Sequence, residues 1–293
     1  MSRRIWRLLL VVAAVAAVAG GSAGAWAAGS AKIHKVAKIA KLVPARIRAK
    51  GTLIVASDAT YAPMEFIAKN GKTVVGVDPD LAKALGTVLG LKFKVVNATF
   101  DSIIPGLHSG KYDLGMSSFT PTKAREKVVD FVTYFKAGMG FYVKASGGPK
   151  VSGLSSLCGL SVAVETGTTE QAAAEAQSKK CTKAGKKPVK VAAYTDQNAA
   201  NLAVASGRQQ VGFLDSEVAA YVVKQSHGQF KLAGKPFAFA PYGIALPKHD
   251  GMAKPLIAAL EYLMKSGAYH KILAKWGVQA GAISKPKLNA TTL

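Results

Sequence analysis

Asp113-Leu-Gly-Met-Ser-Ser-Phe-Thr-Pro-Thr-Lys-Ala-Arg125 reads as a short strand, a hydroxyl-rich loop and the start of a helix. Asp113–Met116 is the strand, and Ser117, Ser118 and Thr120 supply hydroxyls at its end. Thr120 followed by Pro121 is a helix-start signal, an N-cap hydroxyl before a first-turn proline. Arg125 comes one turn later, where its guanidinium can fold back over the loop. Amides of a helix start, hydroxyls and a planar fork of donors together suit a small carboxylate. A capped surface helix whose Arg125 meets Glu126 or solvent has the same spacing, so the stretch alone leaves both open.

Outward from this stretch the chain alternates strands and helices. Before it come a strand at Thr52–Ala56, one at Val74–Val77, a helix from Asp78 stopped by Gly90, a strand at Lys92–Val96 and a helix at Phe100–Leu107. After it, Gly138–Lys144 is a strand, and Ser146-Gly-Gly-Pro149 marks a crossing into a second lobe. There the pattern restarts: strand Ser161–Val164, helix Glu170–Lys180, strand Val189–Ala193, helix Asp196–Ala205, strand Val211–Leu214 and a helix from Asp215. The chain crosses back near Phe239 into strand Gly243–Leu246, and helices Met252–Lys265 and Ala268–Trp276 close it. Such alternation implies parallel sheets with right-handed crossovers and ligand sites beyond the strands' carboxyl ends. The expected fold class is α/β, with two Rossmann-like lobes joined by a two-stranded hinge. Lobe 1 is 51–144 with 239–282, lobe 2 is 145–238, and 283–293 is a disordered tail.

The N-terminus has the composition of an export signal. Arg3, Arg4 and Arg7 precede an apolar run from Leu8 to Val18, and Ala25-Trp26-Ala27 offers small residues for cleavage. Residues 1–28 are therefore expected to be a signal peptide, with no cysteine near the cleavage region to carry a lipid. In an exported chain the two cysteines, Cys158 and Cys181, are expected to pair. The formal net charge of +23 would suggest nucleic acid in a cytosolic protein. Behind an export signal it points instead to anionic lipid or envelope polymers. Residues 29–50 read as a basic linker, in which Lys32, Lys35, Lys38 and Lys41 recur every third residue beside Ile33, Val36, Ile39 and Leu42. A helix lying on an anionic surface is the other reading of 32–50.

No metal-ligand spacing joins the five histidines, and no nucleophile elbow, Walker loop or dinucleotide fingerprint occurs. No cofactor is expected. What remains is a set of loop residues at strand ends. Ser57-Asp-Ala-Thr-Tyr-Ala-Pro63, Phe100-Asp-Ser-Ile-Ile-Pro105, Gly110-Lys-Tyr-Asp113, Ser117–Arg125, Gly167-Thr-Thr169 and Gly207-Arg208 with Asp215-Ser216 occur in order. In that order they resemble the extracellular solute-binding proteins of the polar amino-acid ABC uptake family, a type II periplasmic-binding-protein fold. The resemblance covers about residues 51–277.

The resemblance implies that Arg125 pairs with a ligand α-carboxylate, helped by Thr120, Thr168 and Thr169, while Asp215 takes the α-ammonium with Ser118. Ser117 lies in the same loop, and Asp58, Tyr61 and Phe100 would form the side-chain pocket, with Met64, Glu165 and Glu170 as secondary candidates. An excess of carboxylates favours a basic amino acid, with glutamine or another polar amino acid next. Glu170 departs from the glutamine that many basic amino-acid binders of this family resemble one another in carrying. The expected function is delivery of an amino acid, without catalysis, by a monomer to an ABC permease outside the cytoplasm. A prephenate or arogenate dehydratase on the same fold is the alternative.

Overall fold

The computed structural model describes residues 32–291, so the signal-like segment 1–28 and its cleavage site lie outside the described residues. Residues 32–50, expected to be a linker, are folded. Helices α1 (Ala37–Ala40) and α2 (Ala45–Lys50) flank Pro44, and Val43 and Ile47 are buried. The three-residue repeat explains why. Ile33, Val36 and Ile39 line one edge that packs on the main core, Val36 N–H donates to Val88 O at 3.0 Å, and lysines 32, 35, 38 and 41 remain exposed.

Along the chain β1 (Thr52–Ser57) is followed by β2 (Thr60–Tyr61), β3 (Glu65–Ile67) and β4 (Val74–Val75), which form a small antiparallel sheet. Helix α3 (Val77–Leu89) buries its apolar face and ends on left-handed Gly90. Then come β5 (Lys92–Asn97), α4 (Phe100–His108), β6 (Leu114–Gly115) and the single turn α5 (Lys123–Glu126). Strand β7 (Val129–Lys144) leads to β8 (Ser161–Glu165), α6 (Thr169–Lys183), β9 (Lys190–Tyr194), α7 (Gln197–Ala205), β10 (Val211–Asp215) and α8 (Ser216–Gln225). Strand β11 (Phe230–Pro247) returns, and α9 (Ala253–Lys265) and α10 (Ala268–Trp276) follow.

The main sheet has the order β5-β1-β6-β11-β7-β10-β8-β9. One half is parallel β5, β1 and β6; the other is parallel β10, β8 and β9. Between them β7 and β11 run antiparallel to each other, with register shifts after Ala233, Phe237 and Tyr242. Their 16 and 18 residues are more than either half needs. At roughly 3.3 Å per residue each spans on the order of 50 Å. Short strands at 138–144 and 243–246 were the expectation. A crossing strand packs against different neighbours along its length, so no single periodicity marks its extent.

The tail expected to be disordered is pinned over its described residues, as far as Thr291. Thr133 N–H donates to Lys287 O, Asn289 and Phe131 exchange two hydrogen bonds, Leu288 bridges Val132, and Thr291 Oγ1 donates to Pro121 O. The start of β7 pairs with β11 on one side, and the tail supplies the backbone groups its other side needs. Cys158 and Cys181 form a disulfide with Cα atoms 5.6 Å apart, tying the turn before β8 to α6. Replacing both with serine should lower unfolding free energy by about 3 kcal/mol in a urea titration, as expected for a loop of this length. An unchanged midpoint would mean the bridge adds nothing to packing already present.

Candidate functional site

The carboxyl ends of β1 and β6 in one half, and of β8 and β10 in the other, deliver side chains to one cavity. From the first half come Asp58, Tyr61, Glu65, Phe100, Ser117, Ser118, Thr120 and Arg125. From the second come Glu165, Thr168, Thr169, Glu170 and Asp215. Every residue singled out in the sequence lines this space except Met64. Met64 is wholly buried in the main core, and its neighbour Glu65, at the start of β3, faces the cavity instead.

The loop after β6 departs in detail from its expected cap. Thr122 is the N-cap of α5, its Oγ1 accepting from Arg125 N–H at 3.2 Å, which leaves Thr120 to line the cavity. Arg125 does fold back: Nη1 donates to Thr120 O at 2.7 Å and Nη2 to Gly167 O, in the other half, at 2.8 Å. Gly167 holds a φ of 80°, a conformation that costs glycine little and orients this carbonyl. The guanidinium lies over Phe100 and Phe119 at 5.2 and 5.5 Å, and these rings stack at 4.5 Å. Burial lowers the Arg125 pKa to about 10, against the opposing pull of Glu170 and Asp215, so the group stays cationic at neutral pH.

Ser118 adopts a left-handed φ of 50°, which places its N–H on Asp78 Oδ2 at 3.1 Å. Tyr134 OH donates to the same oxygen at 2.7 Å. Such a backbone costs a non-glycine residue about 1 kcal/mol or more and persists where the surroundings impose it. Ser117 and Ser118 hydroxyls both donate to Glu65, each at 3.3 Å, and Ser117 Oγ also accepts from Asp58 N–H at 2.8 Å. Glu65, Asp78 and Tyr134 were not foreseen. An acid between apolar Met64 and Phe66 was the available signal, but its partners lie 52 and 53 residues away in the chain.

Asp58 accepts from Thr60 Oγ1 at 2.6 Å and from Phe100 N–H at 2.9 Å, and burial raises its pKa. Asp215 does not use its side chain to cap α8. Tyr61 OH donates to Asp215 Oδ2 at 3.0 Å and accepts from Asp215 N–H at 2.9 Å, which joins the two halves. Thr168 caps α6, its Oγ1 accepting from Gln171 N–H at 3.1 Å, and Thr169 Oγ1 donates to Glu170 Oε2 at 3.0 Å. Buried Oε1 atoms of Glu165 and Glu170 have no hydrogen-bond partner. Five carboxyls thus face one guanidinium. Burial raises the pKa of all five, most for Glu65, Glu165 and Asp215, and neighbouring acids push those three further. Behind them Glu217, held by Tyr242, is raised to about 7 by burial, and Asp78 to about 6.

The sequence profile of the bacterial extracellular solute-binding proteins, family 3, matches residues 53–279. The chain belongs to this family. Among curated family relatives, the arginine-binding protein ArgT of Corynebacterium glutamicum is 29% identical over 253 residues, 86% of this chain and 83% of the relative. An ancestral arginine-binding protein solved with arginine superposes with a TM-score of 0.71 at 38% identity, covering 77% of this chain and 98% of that one. The ancestral amino-acid-binding protein AncCDT-1, a precursor of cyclohexadienyl dehydratase, gives 0.70 at 36% identity, covering 79% and 97%. The architecture is accordingly the mixed α/β fold of the type II periplasmic amino-acid-binding proteins.

The carboxyls make stability pH-dependent in a defined sense. Their folded pKa values lie above the unfolded value of about 4, so the stability they contribute is complete below that pH and lost as pH rises through the folded values. With Asp78 at about 6 and Glu217 at about 7, the melting temperature of the ligand-free protein should fall between pH 5 and 8. A rise over that window would contradict the burial of these groups.

Proposed function

We propose that this protein is the extracytoplasmic amino-acid-binding component of an ABC importer, with a basic amino acid as its first ligand class and glutamine or another polar amino acid as the second. The observation that carries the proposal is one cavity, shared by two sheet halves, in which Arg125 and Asp215 lie among further carboxyls. A zwitterion entering such a space needs both charges matched, because an unpaired buried ion is costly. Arg125 turns its fork from carbonyl oxygens to the ligand carboxylate, a stronger, charge-assisted pair, with the Thr120 hydroxyl and the amides at the start of α6 beside it. Asp215 and Ser118 take the ammonium, and Asp58 and Phe100 bound the side chain. The names borne by the relatives, arginine binding above all, support the ligand class.

Residues 51–144 with 239–282 then act as one lobe and 145–238 as the other, with β7 and β11 as the hinge. The ligand touches both lobes and so favours the closed form. Export is the coarse location, the permease subunits are the protein partner, and the binder works as a monomer. The exposed lysines of 32–50 offer an electrostatic contact with anionic envelope surface. Buried Glu170, its pKa raised, together with the likeness to a dehydratase precursor, favours catalysis as the second reading. Phenylpyruvate formed from prephenate, and lost in Glu170→Gln, would establish it.

The deciding measurement is the melting temperature against the twenty amino acids, ornithine and citrulline. A ligand at a hundred times its Kd should add about 2.7 kcal/mol, and no shift with any of them would remove the amino-acid assignment. Arg125→Lys should weaken the best ligand by about 2 kcal/mol, since a point charge cannot replace the bidentate fork. Unchanged affinity would refute its carboxylate role.

A further inference from the structure

Glu165 has no part in the recognition scheme above. It ends β8 in the second half of the sheet, is 2% exposed and lines the cavity. Its Oε1 is buried without a hydrogen-bond partner. Its carboxyl meets that of Asp58, at the end of β1 in the first half, within hydrogen-bonding range across the cleft. Asp58 cannot swing away, because Thr60 Oγ1 holds one oxygen at 2.6 Å and Phe100 N–H the other at 2.9 Å.

Among the described residues no protein cation serves this pair. The ion pairs among the described residues join Lys50 to Asp113, Lys248 to Asp130 and Lys275 to Asp80, all outside the cavity. Arg125 is committed to the Thr120 and Gly167 carbonyls, and the acids acting on it are Glu170 and Asp215. The other charged groups acting on the pair are acids too, Asp196 on both members and Glu170 on Glu165. Two carboxyls in contact cannot both ionise at neutral pH unless something positive lies between them. A shared proton is one solution, and a cationic group on a ligand, lying against the Phe100 ring, is the other.

We infer that Glu165 and Asp58 form a two-sided carboxyl clamp, closed from opposite halves of the sheet, that makes the site require a positive charge at the far end of its ligand. This rests on the amino-acid-binding reading and extends it: Glu165 is the specificity-determining residue. A cationic ligand displaces the shared proton and releases it to solvent, whereas a neutral isostere leaves the proton in place. Asp58 alone would only accept hydrogen bonds, which an amide or a urea group can supply as well as a guanidinium. The second carboxyl turns that preference into a demand for charge.

Arginine and citrulline are close to isosteric and differ in this charge, so they are the probes. Titration calorimetry on the mature wild-type protein and on Glu165→Gln, at pH 7 in two buffers of different ionisation enthalpy, reads affinity and proton release together. Wild type should bind arginine at least about 100-fold more tightly than citrulline, the scale set by a buried charge-assisted pair. It should release about one proton more per arginine than per citrulline, the linkage a displaced shared proton requires. Glu165→Gln should lose about 30-fold or more in arginine affinity, keep citrulline affinity within about threefold and release as many protons with arginine as with citrulline. Retained citrulline binding also shows that the variant is folded. An arginine-to-citrulline ratio unchanged by the substitution, or equal proton release with both ligands, overturns the clamp while leaving amino-acid binding intact. Failure of wild type to bind either probe, or any amino acid, overturns the underlying reading and the clamp with it.

Discussion

The Arg125 guanidinium reaches from the loop after β6 to the Gly167 carbonyl at the start of α6, and so links the two halves of the sheet. It lies over stacked Phe100 and Phe119 and donates back to its own loop through Thr120 O. A cation held this way is desolvated, and its nearest compensation is carboxylate from the opposite half, Glu170 and Asp215. Neutral carbonyls satisfy its hydrogen bonds but not its charge. Under the proposed function, the same fork exchanges these neutral acceptors for a ligand carboxylate.

Around that cation the cavity is overloaded with acid. Burial raises the pKa values of all five carboxyls, so crowding them costs less than five full charges would. The second layer follows the same logic: Tyr134 donates to Asp78, Tyr242 to Glu217 and Tyr61 to Asp215. Phenol hydroxyls stabilise a carboxyl without adding a charge of their own. The site is thereby left electrostatically incomplete, and a ligand with more positive than negative groups completes it. An enzyme using Glu170 as a general acid would draw on the same burial.

Much of the scaffold was legible along the chain. The alternation of strand and helix from Thr52 to Trp276, the stop at Gly90 and the cap at Asp196 are local features, each set by side chains within a few residues. The long crossing strands were not, because β7 and β11 take their extent from each other and from neighbours in both halves. Residues 32–50 and the tail near Asn289 looked like linker and disorder for a similar reason. Their composition is basic or polar, while the groups that hold them, Val88 O and the backbone of Phe131, belong to distant elements.

At the site, sequence alone determined which side chains stand at the ends of the strands. That period is local, and it brought Asp58, Ser117, Thr120, Arg125, Thr168 and Asp215 forward together. Only the tertiary structure decided how they are used. It moved the N-cap from Thr120 to Thr122, turned Met64 into the core and Glu65 to the cavity, and set Tyr61 against Asp215 across 154 residues of chain. It also put Glu165 against Asp58, which no spacing could show. Carboxyl groups from two separately wound halves meet only when the halves close on each other, and the cost of crowding them exists only in the space that closure makes.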